Sequence, residues 1–486
     1  MTKERPSHVV EIRTGPSLDE RLEDKISAAL LGGAIADAMG WVTEFIKTPK
    51  LLASRHGVDR ISDFVSWEKK TGGRFNPYID YVGAGEYSDD TQLTLCVARA
   101  VQPDGTVDND YFATTELTSW LAYARGAGAT ITGAARALID RKNARWNDNF
   151  FTFRRAKGVF DYRFAGANGA AMRIAPIAMA NPYDIRQLER EIWRNSIVTH
   201  GNPRAVVGAL VYGRALAYVI ADPSPRFDAF LATLQEFTEA IRLPATDDAL
   251  AHWRTVWDQG NLFSEFEREL NSSKNDMLGA WRFFDAERKA PLKQVYQQIG
   301  CFAPATKGSA TATVAAALAV FLRHGKNFEH AVIEAVNMLG SDTDTIAAMV
   351  GSLAGAHAGY SGIPERWARQ MQDFPYFMRV AAALARVAER TAEGPELRHL
   401  TDRISDSRLP DVLSLASASN VATGQRVHHE VLGPGTIMNV HVQPFKSRRG
   451  GSMLFIVVQF DSGQTCKFKF FRSDQRQVKV QRRKAV

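Results

Sequence analysis

The amino-acid sequence predicts an all-α domain followed by a small β-barrel. Three observations carry this expectation. From about Leu22 to Arg390 apolar residues recur at helical spacing, and no clear run of period-two strand residues interrupts them. After about Val421 the pattern changes to short β-branched and aromatic runs separated by glycine turns. The charge divides at the same place: residues 421–486 carry twelve basic and three acidic side chains, so the whole basic excess behind the net +7 sits in this tail. The expected organisation is a helical domain over 22–395, a linker over 396–420 and a basic barrel over 421–486.

The helical elements follow in order. Apolar faces recur at Ile26–Phe45, Thr91–Val101, Tyr111–Ala127, Val206–Ile220 and Thr311–Leu322. Phe328, Val332, Val336 and Leu339 mark one buried face of a further helix. Gly340 stops it, and Ser341 or Asp342 caps the next. Two aromatic-rich stretches, Asp63–Tyr87 and Leu243–Pro304, stand out as decorations on this core, suited to an acceptor cleft or a subunit contact. Arg403–Ser419 is polar and serine-rich, as a linker would be. Met453–Phe460, the turn Asp461-Ser462-Gly463 and Thr465–Phe471 form a hairpin signal. Gly424–Met438 supplies two more short strands around Gly433-Pro434-Gly435, enough for a small barrel.

Composition narrows the class. The chain has 486 residues, 45% hydrophobic and 23% charged, a globular balance with room for two or three domains. Cys96, Cys301 and Cys466 are odd in number and widely spaced, which argues against a disulfide framework and a zinc site. The N-terminal stretch has no apolar core and is no signal peptide. The apolar run near Ala312–Leu322 is about half of what a bilayer requires. A cytoplasmic protein without membrane contact is expected.

Chemistry concentrates in acidic helix starts. Ser88-Asp89-Asp90-Thr91 precedes an apolar helix, where a serine cap and first-turn acids are both favoured. A cap explains one acid; two adjacent acids between two hydroxyls exceed what capping needs. Ser341-Asp342-Thr343-Asp344-Thr345 has the same character. Inside a helix Asp342 and Asp344 would point about 200° apart, but at a helix start both can converge. Carboxylates and hydroxyls suit hard divalent cations rather than zinc or copper, and four carboxylates suffice for two of them. A third acidic segment holds Asp37 and Glu44, seven residues apart and on one face if the helix continues past Gly40.

Taken together, Gly33…Asp37-Ala-Met-Gly40…Glu44-Phe45, Ser88-Asp-Asp-Thr-Gln92, Gly166-Ala-Asn-Gly-Ala-Ala-Met-Arg-Ile-Ala-Pro176 and Ser341-Asp-Thr-Asp-Thr-Ile346 resemble the ADP-ribosylglycohydrolase family, with Thr199-His200…Pro203 in its place between the third and fourth. The resemblance spans roughly Lys25–Trp367, and the ordered set is more specific than any one motif. Ser88 stands where the family usually has threonine, and Ser341 where glycine is common; neither departure removes a carboxylate.

The resemblance implies a compact orthogonal helical fold with two divalent cations, Mg²⁺ or Mn²⁺, held by Ser88, Asp89, Asp90, Asp342, Asp344 and Thr345. It implies hydrolysis of the bond between C1 of the distal ribose of ADP-ribose and an acceptor on a modified protein or nucleic acid. Glu44 and Asp90 are the acid–base candidates. Asn168, Gly169, Ala170, Met172 and Arg173 resemble the loop that cradles the diphosphate and distal ribose, and His200 matches a ligand-contact position. Arg173 is equally suited to a structural ion pair, and a lone histidine such as His200 is often only a satisfied helix-end residue.

The tail resembles an SH3-like or Tudor-like module through Val427-His428-His429…Leu432-Gly-Pro-Gly-Thr-Ile437. Its charge, with Phe445, Phe470 and Phe471 as exposed aromatic candidates, makes nucleic acid or a protein partner its expected contact. The alternative reading of the whole chain is an ADP-ribose-binding regulator without turnover, with the barrel as its effector arm.

Overall fold

The computed structural model describes residues 18–73, 76–141, 143–155, 158–222, 224–259, 263–287, 289–398, 409–418, 420–445 and 450–473. Its helices include α1 (Leu18–Trp41), α2 (Asp89–Ala100), α3 (Pro203–Ala221), α4 (Ala310–His324), α5 (Thr343–Ala358) and α6 (Phe374–Ala388). The helical reading is therefore right for most of the chain, but two short antiparallel hairpins interrupt it: β1 (Trp67–Thr71) with β2 (Tyr78–Val82), and β3 (Thr152–Arg155) with β4 (Gly158–Asp161).

The centre of the molecule is the crossing of α1 and α5. Both are rich in alanine and glycine and are buried all round, as core helices are. A Cβ on Gly351 would lie 2.2 Å from the Gly32 carbonyl oxygen, so the backbones touch there and no larger residue fits. Helix α3 packs beside them against α4 and α5. At 19 residues it is long and apolar enough to cross a membrane, longer than the stretch the sequence drew attention to, and 78% of its most apolar window is buried inside the bundle. The Leu243–Pro304 stretch is not a decoration. It forms the helices Asp248–Trp257, Phe263–Ala286 and Leu292–Gln298, whose Trp253, Trp257 and Trp281 belong to the main core.

The C-terminal strands β5 (Arg426–His429), β6 (Gly433–Pro444), β7 (Ser452–Phe460) and β8 (Thr465–Arg472) form one antiparallel sheet in chain order, with a bulge between Ile437 and Asn439. Among the described residues β8 does not pair with β5, so the expected barrel is a sheet. Closure is unnecessary because the helical core covers one face: Val427, Ile437, Leu454, Ile456, Val458 and Phe468 join the same apolar cluster as the helices. Polar contacts reinforce the docking. Buried Arg99 on α2 pairs with Glu116 at 2.7 Å and also donates to Gln464 beside β8.

The tail's side chains differ from expectation in the same way. Phe445 is buried, Phe470 is half-buried, and only Phe471 is exposed. Lys467 and Lys469 pair with Asp80 of the first hairpin, Arg426 pairs with Asp461, and Arg472 donates to the carbonyls of Leu415, Ala416 and Ala418. Each described cation of the tail thus has a partner within the chain, Arg426 in a surface pair, and nothing in their placement supports the expected nucleic-acid contact. Lys446, Arg448, Arg449, Arg476, Lys479, Arg482, Arg483 and Lys484 lie outside the described residues, as does the stretch 399–408 of the expected linker.

Candidate active site

Three chain segments deliver the acids. At the first, the Ser88 hydroxyl accepts the Asp90 N–H at 3.2 Å and caps α2, as its sequence position requires. Asp37 on α1 is fully buried beneath this turn and accepts the Ser88 N–H at 3.1 Å, the Thr91 N–H at 3.2 Å and the Thr91 hydroxyl at 2.5 Å. At the second, α1 stops at Trp41 and Glu44 sits in the turn that follows. Asp37 and Glu44 therefore do not share a helix face; they approach the site from different sides. At the third, Asp342 precedes α5 without spending its side chain on a cap. Instead it accepts Asn168 Nδ2 at 2.6 Å.

The close approach of α1 to α5 brings these segments together. Thr343 donates its hydroxyl to the Gly40 carbonyl at 3.1 Å, and the Thr43 hydroxyl donates to Thr343 Oγ1 at 3.0 Å. Glu44, Asp342 and Asp344 consequently place carboxylate oxygens within 4.8 Å of one another. Asp90 and the Thr345 hydroxyl face each other across the helix starts. Glu44 and Asp342 retain some solvent access, whereas Asp89, Asp90 and Asp344 are buried.

Burial dominates the electrostatics. It drives the Glu44 carboxyl up to about 8, with Asp342 adding to the rise and Lys69 opposing it. It drives Asp89 up to about 7, with Asp37 adding. Asp90 and Asp344 are raised further, because burial is joined by the charge of neighbouring acids. Asp90 Oδ2 and Asp37 Oδ1 are buried with no hydrogen-bond partner among the described residues. Such a set of oxygen donors is costly to leave ionised and unpaired, and its chemistry fits hard divalent cations.

The loop beside the acids holds the other expected contacts. Asn168 bridges Asp342 and Thr313 through Nδ2. Gly169 lies directly over His200: a Cβ there would be 2.9 Å from His200 Cε1. His200 accepts or donates at Nδ1 with Thr199 at 2.7 Å, and its buried Nε2 has no partner among the described residues. Burial holds it far below its ordinary range, hence neutral. Ala170 is buried, and Met172 joins Asp90, Thr94, Tyr212 and Ser352 around an internal cavity of about 20 Å³, room for roughly one water. Arg173 is 0% exposed and makes no ion pair among the described residues. It donates to Gly169 O, Thr199 Oγ1, Asn195 Oδ1 and Asn195 O, so its guanidinium holds the loop against the helix behind it.

Three residues of the site lay outside the expected set. Asp37 had a signal, its place in the first motif, but nothing in the spacing indicated that it ties down Ser88 and Thr91. Lys307 donates Nζ to the Glu44 carbonyl at 3.1 Å. Lys69, on β1, lies 4.9 Å over the Trp41 ring and acts on Glu44 and Asp89. Neither lysine had a sequence signal, because each comes from a loop or strand remote from the acids.

Comparison with known proteins identifies the family. A family profile described as ADP-ribosylglycohydrolase matches residues 18–396. The chain is 24% identical over 379 residues to ADP-ribosylhydrolase ARH3 of Gallus gallus, covering 74% of this chain and 92% of the relative. It is 24% identical to ADP-ribosylarginine hydrolase Tri1 of Pseudomonas putida, covering 75% and 79%. It is also 24% identical to ADP-ribosyl-[dinitrogen reductase] glycohydrolase of Rhodospirillum rubrum, covering 73% and 91%. A solved structure titled ADP-ribosylglycohydrolase-related protein complex shares the fold, at a TM-score of 0.50 and 22% identity, covering 77% of this chain and all of that one. The match over more than three-quarters of the chain makes it a member of the ADP-ribosylglycohydrolase family, and a glycohydrolase.

Proposed function

We propose that this protein hydrolyses the glycosidic bond joining the distal ribose of ADP-ribose to an acceptor on a modified protein, with the help of two divalent cations, Mg²⁺ or Mn²⁺. One observation carries the reading: acids from two separate segments converge, Glu44, Asp342 and Asp344 within 4.8 Å, while a buried oxygen of Asp90, from a third segment, has no hydrogen-bond partner among the described residues. Ser88, Asp89, Asp90, Asp342, Asp344 and Thr345 would hold the cations; the Ser88 hydroxyl also caps α2, and the Ser88 N–H donates to Asp37. When bound, such ions lower the pKa of water and orient ribose hydroxyls.

The chain's own groups supply the rest. Cleavage of a ribosyl bond passes through an oxocarbenium-like transition state, which nearby carboxylates stabilise. Glu44 stands on a turn at the solvent side of the cluster, pinned by Lys307 through its carbonyl. Its raised pKa suits a group that gives a proton to the leaving acceptor or takes one from water. Asp90 is the second proton-transfer candidate. Asn168, the Gly169 backbone and His200 Nε2 form the wall that would receive the ribose and diphosphate, and Arg173 fixes that wall from behind.

The test is release of ADP-ribose from a labelled modified protein. Asp89→Asn with Asp90→Asn should abolish it, and a chelator should suppress it reversibly. Unchanged turnover in the double variant would overturn the reading.

A further inference from the structure

Lys69 and Asp80 stand directly opposite each other on β1 and β2, so their side chains share one face of the hairpin. A lysine and an aspartate so placed ordinarily pair. Here they do not: Asp80 Oδ1 takes Lys467 at 3.3 Å and Asp80 Oδ2 takes Lys469 at 3.0 Å, both from β8. The Asp80 side chain is only 5% exposed and already carries two cations. Lys467 also bridges to Glu86 at 3.3 Å, two residues before Ser88. Tyr78 of the same hairpin packs on Phe455 of β7. The C-terminal sheet thus grips the hairpin and its one well-placed acid.

Lys69 is left to face the site. Its ammonium lies 4.9 Å over the Trp41 ring and 6.0 Å over the Phe45 ring, a placement that aromatic faces favour. A Cβ on Gly126 would touch Asp89 Oδ1 at 2.7 Å and Lys69 Nζ at 3.5 Å, which places this cation on the Asp89 and Glu44 flank of the cluster. Asn168 and the loop for ADP-ribose lie on the Asp342 flank.

We propose that the acceptor leaves past Lys69, whose positive charge there favours hydrolysis of ADP-ribose on a neutral or anionic group over ADP-ribose on a guanidinium, and that the C-terminal sheet sets this preference by occupying Asp80. The inference rests on the hydrolase reading above. A guanidinium leaving group carries its charge into the site, where a nearby ammonium repels it; a serine oxygen does not.

The experiment measures kcat/KM for an arginine-ADP-ribosylated peptide and a serine-ADP-ribosylated peptide in the full-length, metal-supplemented protein. Lys69→Met should raise the arginine-to-serine ratio about tenfold. Because a serine oxygen needs a proton from an acid such as Glu44 more than a guanidinium does, the ratio is read at several pH values, and a shift that persists at each belongs to the charge of Lys69 rather than to its action on Glu44 or Asp89. Lys467→Met with Lys469→Met should shift the ratio the same way, because Asp80 is then free to draw Lys69 off. Adding Asp80→Asn to that pair should restore the wild-type ratio, and circular dichroism checks that each variant is folded. An unchanged ratio in Lys69→Met overturns the proposal, while a triple variant still shifted overturns the part assigned to the sheet. If the lysine pair does not fold, the single and triple variants decide alone. Wild-type protein that acts on neither peptide sinks the hydrolase reading itself, and this inference with it.

Discussion

Gly40 and Asp344 meet so closely that a Cβ on Gly40 would lie 2.7 Å from the Asp344 Cα. The obstacle is backbone, which cannot turn aside like a side chain. Gly40→Ala should therefore force the end of α1 away from the start of α5, at a cost of about 1–3 kcal/mol. Affinity for Mn²⁺ should fall with it, because Glu44 and Asp344 come from the two sides of this contact. Urea unfolding and titration calorimetry measure both; wild-type stability would mean the backbones part freely.

Asp37 is the support of the first acidic turn rather than a member of it. Asp37→Ala strips the acceptor from two buried N–H groups, those of Ser88 and Thr91. Loss of such a supporting contact typically costs 10–100-fold in metal affinity, and that fall is expected here by Mn²⁺ titration. Affinity within twofold of wild type would contradict the role.

The acid cluster also fixes a pH dependence. Unfolded Asp and Glu titrate near 3.9 and 4.3, whereas in the folded, metal-free protein Asp89 and Glu44 keep protons up to about 7 and about 8. The folded state binds more protons across that window, so stability falls as pH rises through it. In a chelator, Tm should decline from roughly pH 4 to 8. Saturating Mg²⁺ or Mn²⁺ should flatten the slope. A metal-free Tm that climbs with pH because of these groups would refute the assignment.

Arg173 should behave as a support for the ligand loop. Burial lowers its pKa to about 9, still above neutrality, and its hydrogen bonds go to Gly169, Thr199 and Asn195. Arg173→Met leaves buried acceptors without donors, at a cost on the order of 3 kcal/mol. ADP-ribose affinity should weaken as Gly169 and His200 lose their backing. The unfolding midpoint and ligand titration report the two effects, and an unchanged midpoint would disprove the supporting role.

Much of this was legible in the sequence because it is local. Ser88 caps α2 where serine and two acids announce a helix start, and β7 and β8 form where β-branched and aromatic runs flank the Asp461-Ser462-Gly463 turn. Two hairpins escaped notice because Trp67–Thr71 and Gly158–Asp161 are only five and four residues long, too short for a clear period-two pattern.

The ordered motifs pointed to the family and to the oxygen-rich character of the site, and helix period to the mostly helical scaffold around it, since helix period, capping and donor chemistry are properties of neighbouring residues. Only the tertiary structure decided that Glu44 reaches the cluster from a turn and that Arg173 backs the loop. It likewise decided that the tail is a docked sheet whose lysines hold Asp80 and leave Lys69 to the site. Each of these depends on which distant group takes a charge or a hydrogen bond first, a competition settled by packing between segments and not by spacing within one.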